Sequence, residues 1–382
     1  MDFFREEHEL FRQNIRRFVQ EEIVPNVDEW ETNGEIPRNL FRQMGELGFL
    51  GIEFDTEYGG SGADLWMSIV LAEEMAMCRA GGVAFSVVVH TDMSSPWLSN
   101  LGTTQQKKRF IPDIVQGTKV CALAITEPNV GSDMAAYQTT AQKDDSGWLI
   151  NGTKTFITNG VYGDLYFVSA RTNNTGPIHK QLSQFIVEKG TPGLTVSRKL
   201  DKTGMWSSDT AELVFQDVRV TSDNLIGEEN KGFYQLAAGL QRERLLSAIL
   251  SVSAASQALN DSVRYLNQRE TFGDVLSKRQ SLRHRVANLA TELEAARQLN
   301  YSAASKLSLG KDCIKEVSMA KLFSTEAANR VAYEAVQFHG GYGYMRETPV
   351  ERFSRDYRLW TIAAGTSEMM REIISKKILD EN

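Results

Sequence analysis

From Gly232 onward the chain carries no proline until Pro349, and apolar residues recur at helical spacing within that run, as in SLRHRVANLATELEAARQLNYSAASKL. A proline inside a helix removes a backbone hydrogen bond and clashes with the preceding turn, so its long absence lets helices run for many turns. Segments of that length and periodicity pack as a helical bundle, here expected to contain four helices.

The rest of the chain divides by texture. From Asp2 to about Gln116 apolar residues again recur at helical spacing (Leu10, Phe11, Ile15, Phe18, Val19), with Pro37, Pro96 and Pro112 as punctuation. From Val120 to about Gly227 short runs rich in Val, Ile, Thr, Phe and Tyr (WLINGTKTFIT, DLYFVSAR, SQFIVE, TAELVFQDVRV) are broken by NG, TPG and DDSG. They read as antiparallel strands of a barrel or sandwich. At 382 residues the chain exceeds what one hydrophobic core holds. The expected fold is α+β and mostly α: an N-terminal helical domain (1–117), a middle β domain (118–230) and a C-terminal helical bundle (231–382).

A formal net charge of -7 gives no general nucleic-acid footprint. Cys78, Cys121 and Cys313 are far apart and lack zinc-ligand spacing, so they read as small buried residues of a reducing compartment. The acidic, amphipathic start MDFFREEHELF has neither signal-peptide nor transit-peptide character, and no 18-residue apolar run follows. A cytoplasmic protein without membrane partners is expected. The five histidines do not cluster, and GxGxxG, GxxxxGK[ST], HExxH and GxSxG are all missing. Nicotinamide-Rossmann, P-loop, zinc-protease and α/β-hydrolase readings lose their support, and no metal is expected.

Five segments remain as candidates for chemistry. CALAITEPNVGSD (121–133) is a short strand with a Thr-Glu-Pro turn, or simply a capped turn. NGTKTFITNG (151–160) suits a ligand-facing strand and turn, or a hairpin with a buried Phe156. QRETFGDVLSKRQ (268–280) is a basic, hydroxyl-bearing bend that could meet a pyrophosphate, or an ordinary helix break. In AVQFHGGYGYMRETPVERFSRD (335–356) the glycines permit close backbone approach. In TIAAGTSEMMREI (361–373) Gly365, Thr366 and Ser367 precede an amphipathic helix whose first N–H groups are free.

In this order, and with SSDTAELVFQDVRV at 207–220, these segments closely resemble the acyl-CoA dehydrogenase family over essentially the whole chain. The resemblance implies FAD as cofactor. It implies a flavin ring against Leu123, Ile125, Thr126, Gly131, Ser132, Phe156, Ile157 and Thr158, with Phe156 where many members have tryptophan. Arg269, Thr271, Gln280, Gln337, Gly340 and Gly341 would reach the adenosine-pyrophosphate half from a neighbouring subunit, with Thr366 and Glu368 completing that side. A homotetramer is implied, as are an acyl-CoA substrate, a place in fatty-acid degradation and an electron-transferring flavoprotein as acceptor.

The family's usual catalytic glutamate position holds Ala364 here. Isovaleryl- and long-chain-type members instead carry the glutamate in a GLxxERL context, which this chain matches as Gly239-Leu240-Gln241-Arg242-Glu243-Arg244-Leu245. By itself a glutamate between two arginines is an ordinary solvated ion-paired residue. Within the resemblance Glu243 becomes the base that takes the α-proton while the β-hydride passes to flavin N5, giving the trans-2-enoyl thioester. Ser132, Arg244 and Ala364 are the implied substrate contacts, Ala364 through its backbone N–H to the thioester carbonyl. The relocated base points to longer or branched acyl chains, with wall residues drawn from VVVHTDMSSPW (87–97). The alternatives are a flavin oxidase or monooxygenase on the same scaffold, and a degenerate subunit, which Ala364 would motivate and Glu243 argues against.

Overall fold

The computed structural model describes residues 3–380. The N-terminal part is helical: α1 (Glu6–Phe18), α2 (Val27–Asn33), α3 (Arg38–Glu46), α4 (Leu65–Ala76), α5 (Gly81–Val88), α6 (Ser95–Leu101) and α7 (Thr104–Val115). Pro37 stands at the N-cap of α3 and Pro96 in the first turn of α6, where their missing N–H costs nothing. Pro112 does not punctuate. It sits inside α7, and the carbonyl it leaves unpaired belongs to exposed Lys108, where water can serve it.

The middle part holds eight strands: β1 (Cys121–Ala124), β2 (Thr140–Asp144), β3 (Gly147–Thr158), β4 (Leu165–Arg171), β5 (Leu182–Glu188), β6 (Leu194–Lys199), β7 (Thr210–Val220) and β8 (Leu225–Ile226). They form one sheet in the order β6-β7-β3-β2-β4-β5-β8, with β1 beside β4. The path ends at β6 and β8, so the barrel is open. Most pairings are antiparallel, but β1 and β2 both run parallel to β4, which alternating turns alone did not suggest. On one face of β4 Tyr166, Val168 and Ala170 pack with Trp148, Phe185 and Leu213. On the other, Leu165 and Phe167 pack with Phe110, Ile111 and Ile114 of α7. Burial on both faces explains why DLYFVSAR reads as a nearly continuous apolar run.

The 151–160 segment is not a hairpin. It lies almost wholly within β3, whose turn is at residues 145–146, and the strand passes Asn151–Gly152 in an irregular register. Gly152 adopts φ +152°, and a Cβ there would lie 2.4–2.7 Å from Thr139. The glycine therefore serves strand packing rather than chain reversal.

The proline-free run builds α8 (Gly232–Gln268), a short hairpin of β9 (Glu270–Thr271) and β10 (Asp274–Val275), then α9 (Gln280–Ser308), α10 (Ile314–His339), α11 (Pro349–Asp356) and α12 (Ser367–Leu379). α8, α9 and α10 pack on one another and α12 packs on α10. One core joins this bundle to the N-terminal helices, with Ile69, Leu71 and Met75 of α4 in the same cluster as Leu246, Ile249 and Leu250 of α8. All three cysteines are buried. Among the described residues no helix is long and apolar enough to cross a membrane.

Candidate active site

Phe156 is the most exposed side chain of its strand, at 69%. It lies in a register shift of β3 against β7, between Lys154 and Ile157, and takes φ +60°. A non-glycine residue in that region costs about 1–2 kcal/mol, and the phenyl ring gains no burial in return. Strained residues of this kind cluster at functional positions, and the exposure removes the alternative of a buried hairpin phenylalanine. Ile157 and Thr158 beside it are buried. Leu123, Ile125 and Thr126 are half-buried at and beyond the end of β1, and Gly131 and Ser132 are exposed past the Glu127–Val130 bridge. Nothing lies within 4 Å of where a Gly131 Cβ would stand. An open, partly apolar wall of this kind fits a flat ring system.

These two segments are tied by contacts that inspection of the sequence missed. Thr155 donates its N–H to the Thr126 carbonyl at 2.9 Å. Lys154, fully buried, donates to Glu127 Oε1 at 2.7 Å and to the Ile125 carbonyl at 3.0 Å. Burial pushes the Lys154 ammonium down to about 8, against the pull of Glu127. Glu127 also accepts from the Gln138 and Thr139 N–H groups. Asn159 donates to the carbonyls of Ser86 and Cys121, both at 3.0 Å, locking the strand end to α5. The only hint in the sequence is that the acid and the lysine each sit inside a candidate motif.

Glu243 lies in α8 and is 6% exposed. Its neighbours do not pair with it: Arg242 is held by Glu53 and Asp92, and Arg244 donates Nε to the Ala364 carbonyl at 3.2 Å. Successive helix residues diverge by about 100°, so the two arginines point elsewhere and the solvated ion-pair reading fails. Glu243 Oε1 has no hydrogen-bond partner. Burial raises its carboxyl from 4.5 to about 7, with Arg244 pulling slightly the other way. One turn earlier, a Cβ on Gly239 would lie 3.0 Å from Trp97 Nε1 and 3.9 Å from Glu243 Oε1, so the glycine keeps space between them. Of the segment 87–97, this places Trp97 beside the carboxyl.

Arg244 links Glu243 to the 361–367 loop. Ala364 takes φ +54° and Gly365 φ +96°. Thr366 caps α12 by accepting from the Met369 N–H at 3.3 Å, and Glu368 occupies the exposed first turn. Residues 5–118, 122–218 and 230–379 match the N-terminal, middle and C-terminal domains of acyl-CoA dehydrogenase.

The chain belongs to the acyl-CoA dehydrogenase family.

It is 41% identical over 380 residues to the mitochondrial long-chain specific acyl-CoA dehydrogenase of Sus scrofa, covering 99% of this chain and 88% of that protein. The crystal structure of acyl-CoA dehydrogenase from Geobacillus kaustophilus is 43% identical, with a TM-score of 0.95 over 98% of this chain and 99% of that one. A structure described as the electron transferring flavoprotein of Acidaminococcus fermentans is 37% identical, with a TM-score of 0.96 over 99% and 100% of the two chains. As a member of the acyl-CoA dehydrogenase family, this protein is an oxidoreductase acting on a CH–CH group.

The remaining candidates of this acyl-CoA dehydrogenase lie elsewhere. Arg269 and Thr271 follow α8, Gln280 begins α9, and Gln337, Gly340 and Gly341 end α10; all but the half-buried Thr271 are exposed. Tyr265 stacks on His339 at 4.3 Å, which brings these helix ends together. Arg269 stands 26 residues after Glu243, at the end of the same continuous helix, and ~1.5 Å per residue separates them by about 39 Å. Thr366 and Glu368 begin α12 next to Gly365, whose carbonyl is held by Lys321, 16 residues before Gln337 on α10. The distant surface also carries wholly exposed Phe272 of the RETFG bend, with φ +52°, and Tyr342 and Tyr344 of the glycine-rich segment at 57% and 80% exposure.

Proposed function

We propose that the protein oxidises a medium- or long-chain or branched acyl-CoA to the trans-2-enoyl-CoA, with FAD as cofactor and Glu243 as the base. The observation that carries this reading is a buried carboxyl with a partnerless oxygen, raised by burial to about 7. A base is most effective when its proton affinity lies near the working pH. Glu243 takes the α-proton of the thioester, and an acyl chain that excludes water raises its affinity further. Arg244 fixes the Ala364 carbonyl, and the N–H of Ala364 would donate to the thioester oxygen, where charge develops as the proton leaves. Such a donor contributes roughly 3–4 kcal/mol. Ser132 is the further substrate contact.

Leu123, Ile125, Thr126, Gly131, Ser132, Phe156, Ile157 and Thr158 would hold the flavin end of FAD, with Thr366 and Glu368 on the same chain. Bound FAD supplies the hydride acceptor. Arg269, Thr271, Gln280, Gln337, Gly340 and Gly341 would serve the other half of an FAD in a second copy, because about 39 Å separates Arg269 from Glu243 within one chain. That supports a homo-oligomer, proposed as a tetramer. The likeness to the Acidaminococcus fermentans structure supports an electron-transferring flavoprotein as acceptor. The test is an anaerobic titration of the flavin absorption band with straight and branched acyl-CoAs. Bleaching by longer or branched chains is expected; no bleaching by any acyl-CoA overturns the reading.

A further inference from the structure

Lys321 of α10 is fully buried, yet no carboxylate lies within ion-pair distance of it among the described residues. Its ammonium donates to the carbonyl of Gly365. Burying a cation without a carboxylate in direct contact is expensive, and a single loop carbonyl could be met by water or a neutral donor at far lower cost. Burial, and then nearby Arg244, lower the ammonium to about 8 against the pull of Glu368 and Glu326.

The cation has a specific geometric effect. Arg244 from α8 holds the Ala364 carbonyl and Lys321 from α10 holds the next one, Gly365. Both residues have positive φ, and for Ala364 that conformation costs about 1–2 kcal/mol. Two consecutive carbonyls anchored on different helices leave the loop little freedom, and with Ala364 at φ +54° the preceding peptide, which carries the Ala364 N–H, is restrained with them. No acceptor for that N–H is found among the described residues. A positive charge beneath the loop also favours negative charge at an atom bound above it.

We propose that Lys321 is a positioning residue for the dehydrogenation: by anchoring Gly365 it aims the Ala364 N–H at the thioester carbonyl, without touching substrate or FAD itself. This rests on the reading of Glu243 and Ala364 given above. Misplacement of a reacting group by about 1 Å costs on the order of 100-fold in rate.

The test uses FAD-loaded Lys321→Met and Lys321→Gln, with flavin content and melting temperature measured first. Three readouts follow: the saturating rate of anaerobic flavin bleaching by acyl-CoA, the KM, and the infrared stretch of the thioester carbonyl in bound 1-13C-labelled trans-2-octenoyl-CoA. Lys321→Met should lose ~100-fold in saturating rate, keep KM within about threefold, and shift the carbonyl stretch towards that of free ligand. Lys321→Gln, which retains an N–H donor, should fall between Met and wild type. Wild-type rate per bound flavin with an unshifted carbonyl in either variant overturns the proposal, including where melting temperature falls. If Lys321→Met does not fold, the same comparison is made with Lys321→Gln. A wild-type enzyme that no acyl-CoA bleaches overturns the dehydrogenase reading and this proposal with it.

Discussion

Replacing Glu243 by glutamine should change stability in a pH-dependent way whose size follows from burial. The carboxyl is 6% exposed and is raised from 4.5 to about 7 by desolvation. The folded protein therefore binds the proton more tightly than the unfolded chain. Stability is fully present below about pH 4.5, falls as pH rises, and levels off above about pH 7 once both states are ionised. At 1.36 kcal/mol per pH unit the whole loss is about 3 kcal/mol, of which ~2.5 falls between pH 5 and pH 8. Glutamine keeps the shape and stays neutral. Any fixed cost of its amide cancels when the difference between variant and wild type is followed across pH. Guanidinium unfolding of both proteins at pH 5, 6, 7 and 8 should show the variant gaining roughly 2–3 kcal/mol on wild type over that range. A difference flat to within about 0.5 kcal/mol would refute the claim that Glu243 is a desolvated carboxyl.

Three further outcomes are expected. The value of kcat/KM for flavin reduction should rise about tenfold per pH unit below about pH 7 and flatten above it, because the base must be ionised; stopped-flow measurements from pH 5.5 to 8.5 check this. Lys154→Met leaves Glu127 a buried carboxylate without its cation, held only by the Gln138 and Thr139 N–H groups, and should cost roughly 3 kcal/mol with loss of flavin, read by melting and by absorbance. Phe156→Gly removes about 1 kcal/mol of left-handed strain, so the apoprotein should melt no lower, while FAD affinity drops up to about tenfold with the lost ring face.

The helical, β, helical order was legible because it rests on local chemistry: proline spacing, β-branched runs and turn residues act within a few positions. Where local signals misled, a tertiary contact had overridden them. Asn151–Gly152 looks like a turn, but Gly152 is needed so that β3 can pass Thr139. Pro112 looks like a break, but it costs α7 only the carbonyl of an exposed residue. Glu243 was legible only jointly with Ala364. That its flanking arginines turn away depends on Glu53, Asp92 and the Ala364 carbonyl, which lie 120 or more residues distant in sequence. The Lys154–Glu127 and Lys321–Gly365 contacts span 27 and 44 residues, and no periodicity reports them. Exposure of Phe156 follows from a register shift, a property of strand pairing rather than of residue type.

The central claim is that Glu243 takes the α-proton, and anaerobic mixing of FAD-loaded Glu243→Gln with the best acyl-CoA tests it directly. With flavin content and acyl-CoA binding equal to wild type, bleaching should be slowed by at least ~10²–10⁴-fold, the contribution of a positioned general base. Bleaching at the wild-type rate would contradict the account and require another base.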